Sequence, residues 1–125
     1  MEDEISYKII GAAIEVHRIL GGPGLLENIY ESALCHELTL RGLEIQRQLI
    51  VPVKYKNVNV SESLCLDILV ENKVIIEVKS TEKEHAIHKA QLLTYLRLTG
   101  MKLGLLINFG QEFVKDGIHR IVNNL

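Results

Sequence analysis

From Leu64 to Ser80 the chain reads L-C-L-D-I-L-V-E-N-K-V-I-I-E-V-K-S, two apolar, strand-like runs on either side of Glu71-Asn72-Lys73. Such runs around a short polar break read as a hairpin. Side chains alternate faces along a strand, so Val74, Ile76 and Val78 share one face while Glu77 and Lys79 share the other. If the turn is the three residues Glu71 to Lys73, Val70 pairs with Val74 and Asp67 falls opposite Glu77, with Cβ atoms roughly 4.5–5.5 Å apart. A two-residue turn would offset them. Facing carboxylates destabilise a hairpin unless something positive lies between them, and a divalent cation with oxygen ligands, helped by Lys79, meets that need. The plainer account is an ionic ladder on a solvated face, since a D…ExK pattern arises by chance in many chains.

Around this hairpin the periodicity alternates between helix and strand. Ile5, Ile9, Ala13, Val16 and Leu20 recur at helical spacing, predicting a helix from about residue 4 to 20, stopped by Gly21-Gly-Pro-Gly24. Glu15 and His17 within it read as solvated or satisfied side chains. A second helix is predicted over roughly residues 25–41, with Ile29, Ala33, Leu34 and Leu38 on its apolar stripe and Gly42 as its stop. Glu27 lies in its first turn, where an acid complements the helix dipole; Glu31 stands one turn on.

Ile45 to Lys56 alternates as a half-buried strand, with Tyr55 on the apolar face and Pro52 marking an edge or a bulge, and Asn57-Val-Asn59 turns into the hairpin. Thr81 and Glu84 have the spacing of a capping box for a helix ending at Gly100. Ala86, Ala90, Leu93 and Leu96 can pack this helix on the sheet, while His88, Gln91 and Tyr95 follow a neighbouring face. Leu103 to Phe109 is apolar on both faces, as a parallel strand covered on two sides would be, which makes strand, helix and strand from Val74 to Phe109 a crossover unit. Gly117 to Val122 reads as a short last strand carrying Arg120, a solvated arginine or a phosphate contact.

The 125 residues are expected to form a single domain, and 47% hydrophobic content is enough to fill its core. A formal charge of -2 provides no general basic field for nucleic acid, which disfavours tight solitary DNA binding. No apolar run approaches a membrane span and the acidic start is unlike a secretory leader, so a cytoplasmic protein is expected. Cys35 and Cys65 make neither a zinc pattern nor a disulfide framework and read as reduced, mostly buried thiols.

Asp67, nine intervening residues and Glu77-Val-Lys79 resemble the PD-(D/E)xK nuclease motif. Gly24-Leu-Leu-Glu27-Asn-Ile-Tyr30 resembles the signature of the GxxExxY proteins, a family placed within that superfamily. Gln48 with Pro52 and Tyr55, Gln91-Leu-Leu-Thr-Tyr95, and Leu103 to Phe109 extend the resemblance over nearly the whole chain. It implies a restriction-endonuclease-like α/β core, a mixed central sheet flanked by helices, and a Mg²⁺- or Mn²⁺-dependent nuclease acting on DNA or RNA. Asp67, Glu77 and Glu27, with Glu31 as the backup for Glu27 and with the backbone carbonyl of Val78, would then hold metal. Lys79 would orient water or neutralise developing charge; the neighbouring carboxylates favour its protonated form and disfavour it as a base. Gln91 and Tyr95, and more modestly Gln48, would orient the site or bind substrate, and Tyr30 would pack. The alternative is a catalytically inactive module of the same fold that binds nucleic acid or a protein, and a homodimer through a sheet edge or the first helix is compatible with either.

Overall fold

A computed structural model describes residues 1–125. The early helical spacing produces α1 (Glu2–Leu20) and α2 (Glu27–Leu40), and Gly21 ends α1 in the left-handed conformation. Five strands follow, β1 (Ile45–Tyr55), β2 (Val58–Val70), β3 (Val74–Lys79), β4 (Leu103–Asn108) and β5 (Ile118–Val122). Helix α3 (Ala86–Thr99) joins β3 to β4, and a 3₁₀ turn (Val114–Gly117) precedes β5. The strands lie in the order β1-β2-β3-β4-β5. Only β3 and β4 are parallel, so this is the mixed, helix-flanked α/β sheet expected from the sequence. No helix is long and apolar enough to cross a membrane.

One face of the sheet is covered by α1 and α2, whose Ile9, Ala13, Leu34 and Leu38 pack on Ile76, Val78, Leu105 and Ile107. The other face carries a smaller core in which Leu92 and Leu96 of α3 meet Leu66, Leu69, Ile75 and Leu106. Gly104 permits this contact, because a Cβ there would stand 2.9 Å from the Leu92 side chain. Every residue of β4 is buried, as befits a parallel strand covered on both faces.

Several local expectations give way to tertiary contacts. The apolar stripe of α2 is rotated: Ile29 is exposed, and Tyr30 is buried with its ring 4.6 Å from that of Phe109. Thr81 and Glu84 form no capping box, and α3 starts later, at Ala86, with no side-chain cap. Asn108, at the end of β4, takes Thr81 instead: its Oδ1 accepts the Thr81 N–H at 3.0 Å and its amide donates to the Thr81 carbonyl at 3.0 Å. Glu84 contacts His119 on β5. Ala86 and Ala90 are exposed, and α3 faces the sheet through Leu92 and Leu96, with Tyr95 half-buried beside them. Arg120 donates to Asp3 on α1 at 2.7 Å. Cys65 is exposed, whereas Cys35 is buried.

The turn after β1 is Lys56-Asn57, both with positive φ, which is the two-residue loop that suits a strand ribbon. Val58 is therefore already in β2, paired with Tyr55, and both are exposed. A change of register between Pro52 and Lys54 supplies the anticipated bulge, and β1 is an edge strand.

Candidate active site

The hairpin pairs Val70 with Val74, Leu69 with Ile75 and Ile68 with Ile76, the register expected of a three-residue turn. Pairing stops there, and the next two residues are Asp67 and Glu77. Their side chains take over from the backbone ladder: Glu77 Oε2 accepts the Asp67 N–H at 3.0 Å, and Asp67 Oδ2 accepts the Val78 N–H at 2.8 Å. Two acids thus fill the gap where the strands part, each held by the opposite main chain.

The parting has a cause in the strands themselves. Leu66 packs on the α3 face, yet Ile68, two residues on, packs on the face of α1 and α2. Regular alternation forbids this, so β2 changes face at Asp67. Opposite, Gln48 has a φ of 53°, a left-handed conformation uncommon for a residue with a side chain. As a result the consecutive Arg47 and Gln48 both reach Glu31 on α2. Arg47 Nε donates to its carboxylate at 2.6 Å, and Gln48 Nε2 donates at 2.9 and 3.1 Å. The same Gln48 amide approaches Asp67 Oδ1 at 3.5 Å, and its oxygen accepts from the Cys65 thiol at 3.0 Å.

Electrostatics single out the pair. Burial, followed by the Asp67 charge, pushes the Glu77 carboxyl from its ordinary 4.5 up to about 8. Burial also raises Asp67; the Val78 N–H opposes this, and the charges of Glu31 and Glu27 add to it. Clusters of acids raised in this way concentrate where chemistry is done. Half-buried Lys79 makes no salt bridge, and its charge lowers both carboxyls and the His88 imidazole, which burial lowers most. Burial, then Glu77 and Asp67, raises the Tyr95 phenol, placing it within the field of the pair.

Glu27 is exposed in the first turn of α2 and accepts no side-chain hydrogen bond. Its charge bears on Asp67 and His88, but the buried acid of α2 is Glu31. Gln91 is exposed on α3. The Gly-x-x-Glu-x-x-Tyr stretch is a unit in space: Gly24 has a φ of 114°, the Tyr30 hydroxyl donates to the Gly22 carbonyl at 2.7 Å, and it accepts the Leu25 N–H at 3.2 Å. Ser80, beside Lys79, donates to the Leu25 carbonyl at 2.7 Å. The motif thus ties the start of α2 to the end of β3. His17 is buried, its Nε2 3.0 Å from the Gln111 carbonyl and its ring stacked on Phe109, and it packs behind this motif as a satisfied core side chain. Sequence reasoning missed Arg47, and only the turned backbone at Gln48 reveals it.

No three His, Cys, Asp or Glu side chains form a closed ligand cluster. The donors nevertheless suit a hard cation: two desolvated, mutually repelling carboxylates, where Mg²⁺ is commonly held by one or two acids plus water and substrate phosphates. A mixed sheet with an acid pair at the parting of two strands, and a lysine two residues beyond the second acid, defines a restriction-endonuclease-like fold. The family model for the PD-(D/E)XK nuclease superfamily matches residues 3–121, and the chain belongs to that superfamily. Nucleases of this superfamily generally use divalent metals and act on nucleic acid. No curated protein and no solved structure matches the chain.

Proposed function

We propose that this chain is a Mg²⁺- or Mn²⁺-dependent nuclease of the GxxExxY kind, forming one domain over residues 1–125 and hydrolysing nucleic-acid phosphodiesters. The interlocked Asp67 and Glu77 carry this reading, because a cation shared between them relieves the burial and repulsion that otherwise keep a proton on Glu77. Asp67, Glu77 and the Val78 carbonyl would hold the cation, with Glu27 supplying a further oxygen from the mouth of the site. When bound, a divalent cation offers positive charge to a phosphate oxygen and lowers the pKa of water. Lys79 brings a fixed ammonium to the same face and stabilises negative charge gathering on phosphate. Gln48 and Tyr95 orient the acids from either side, and exposed Gln91 is free to meet the substrate backbone.

Calorimetry with Mn²⁺ and cleavage of DNA and RNA test this together. Asp67→Ala and Glu77→Ala should abolish metal binding and cutting, and Lys79→Ala should remove cutting, by about 10²-fold or more, while leaving the fold intact. Wild-type activity in Lys79→Ala would remove that residue from the chemistry. Metal binding without cutting of any nucleic acid would leave the inactive module as the better reading.

A further inference from the structure

From residue 54 to residue 63, the end of β1, its turn and the start of β2, every residue is exposed. This ribbon is rooted at the site. Strand β2 runs antiparallel to β3, so the residues before Cys65 pass beyond Lys79, the end of β3, and pair only with β1. The root of the ribbon, Leu49, Val51 and Leu66, packs in the α3 core, and from Leu49 to Tyr55 it runs on the order of 20 Å. An unsupported pair of strands is marginally stable in water, so an arm this long calls for a partner.

Charge identifies that partner. Residues 54–63 carry Lys54 and Lys56 near the turn against one acid, Glu62, a net charge of +1 in a chain of net charge -2. Arg47 is engaged by Glu31, which leaves Lys54 and Lys56 exposed near the tip, with Asn57 and Asn59 beside them. A second copy adding a strand along β1 is disfavoured, because Pro52 lacks an N–H, the bulge follows it and Lys54 lies on the edge. A two-stranded ribbon fits the roughly 12 Å major groove of B-form DNA, whereas the groove of A-form RNA is too narrow to enter. The ribbon has a single aromatic, Tyr55, under the Lys56 ammonium, rather than the row of rings that single strands stack on.

We infer that the β1–β2 ribbon is a docking arm for duplex DNA, inserted in the major groove about six base pairs from a phosphate seated at Asp67 and Glu77, with Lys54 and Lys56 on the backbone. The inference rests on the nuclease reading for the choice of nucleic acid, but its test requires no cutting. Binding of a 30-base-pair DNA duplex is measured in EDTA against salt for the wild type, Lys54→Ala/Lys56→Ala and Lys54→Arg/Lys56→Arg. The alanine pair should bind about 10- to 100-fold more weakly at 0.1 M salt and lower the salt slope by about 2, with an unchanged melting temperature. The arginine pair should bind like the wild type. Equal affinity of wild type and alanine pair, no duplex binding by the wild type, or the same loss on single-stranded DNA or duplex RNA would overturn the inference. So would a dimer in solution whose arm amides are protected from exchange before DNA is added. Failure of the nuclease reading shows instead as intact, arm-dependent binding with no cleavage in Mg²⁺ or Mn²⁺.

Discussion

Glu31 is the residue on which the acids of the site depend without being one of the interlocked pair. It is buried, and its charge is met by Arg47 and by the Gln48 amide, so Asp67 is approached by a braced hydrogen-bond donor instead of a loose one. Removing one partner of such a pair strands the other charge. Arg47→Ala should therefore cost about 2–3 kcal/mol, below the range for a fully buried pair because the arginine side chain is 37% exposed. Urea unfolding measures this, and adding Glu31→Gln should recover part of the loss. An additive double mutant would show that the two side chains act independently. The sequence suggested Gln48 by resemblance and Glu31 by position, but nothing in the periodicity marked Arg47, because consecutive strand residues normally face opposite ways.

Among the elements, α3 and the loop before it respond to contacts from the far end of β4. Thr81 and Glu84 have capping-box spacing, yet the Asn108 side chain also accepts the Gly110 N–H at 2.9 Å and so closes the β3 exit and the β4 exit together. Gly110 is required there, since a Cβ would come 2.3 Å from the Thr81 carbonyl oxygen. Asn108→Ala should cost about 1–3 kcal/mol, with three backbone groups losing partners, whereas Glu84→Ala should leave the helicity of α3 unchanged. Thermal melts and circular dichroism distinguish the two outcomes; a helix lost in Glu84→Ala would restore the capping box. Tyr30→Phe tests the other clamp. It keeps the stack on Phe109, loses the bonds to Gly22 and Leu25, and should cost about 1–2 kcal/mol. Its effect should appear as faster amide exchange in residues 22–26.

For the whole molecule, the acid pair couples stability to pH. Folded Glu77 keeps its proton to about pH 8, while the unfolded carboxyl releases it near 4.5, so between these values the folded state binds more protons. Stability in chelator should therefore fall as pH rises through that window, by on the order of 2–4 kcal/mol. Glu77→Gln should flatten the fall and raise the melting temperature at pH 8, because an amide can accept the Asp67 N–H without charge repulsion. Mn²⁺ should restore stability to the wild type and not to the variant. A pH-independent wild type would place Glu77 in water.

Local pattern was enough to mark the helices, the largely apolar β4 and the hairpin, since each depends on near neighbours, namely helical spacing, alternation and the polar break at Glu71 to Lys73; the structure then decided for the three-residue turn. With that turn length Asp67 falls opposite Glu77, as the sequence allowed. What it left undetermined arises where one element answers another. Phe109 set the rotation of α2, Asn108 displaced the cap of α3, and the left-handed Gln48 let β2 change face at Asp67. Those contacts join residues far apart in sequence, and a chain read in order carries no record of which distant side chain will fill a space or satisfy a buried amide. The tertiary structure alone decided that the acids lie in the parting of two strands, braced from α2, at the root of an exposed arm.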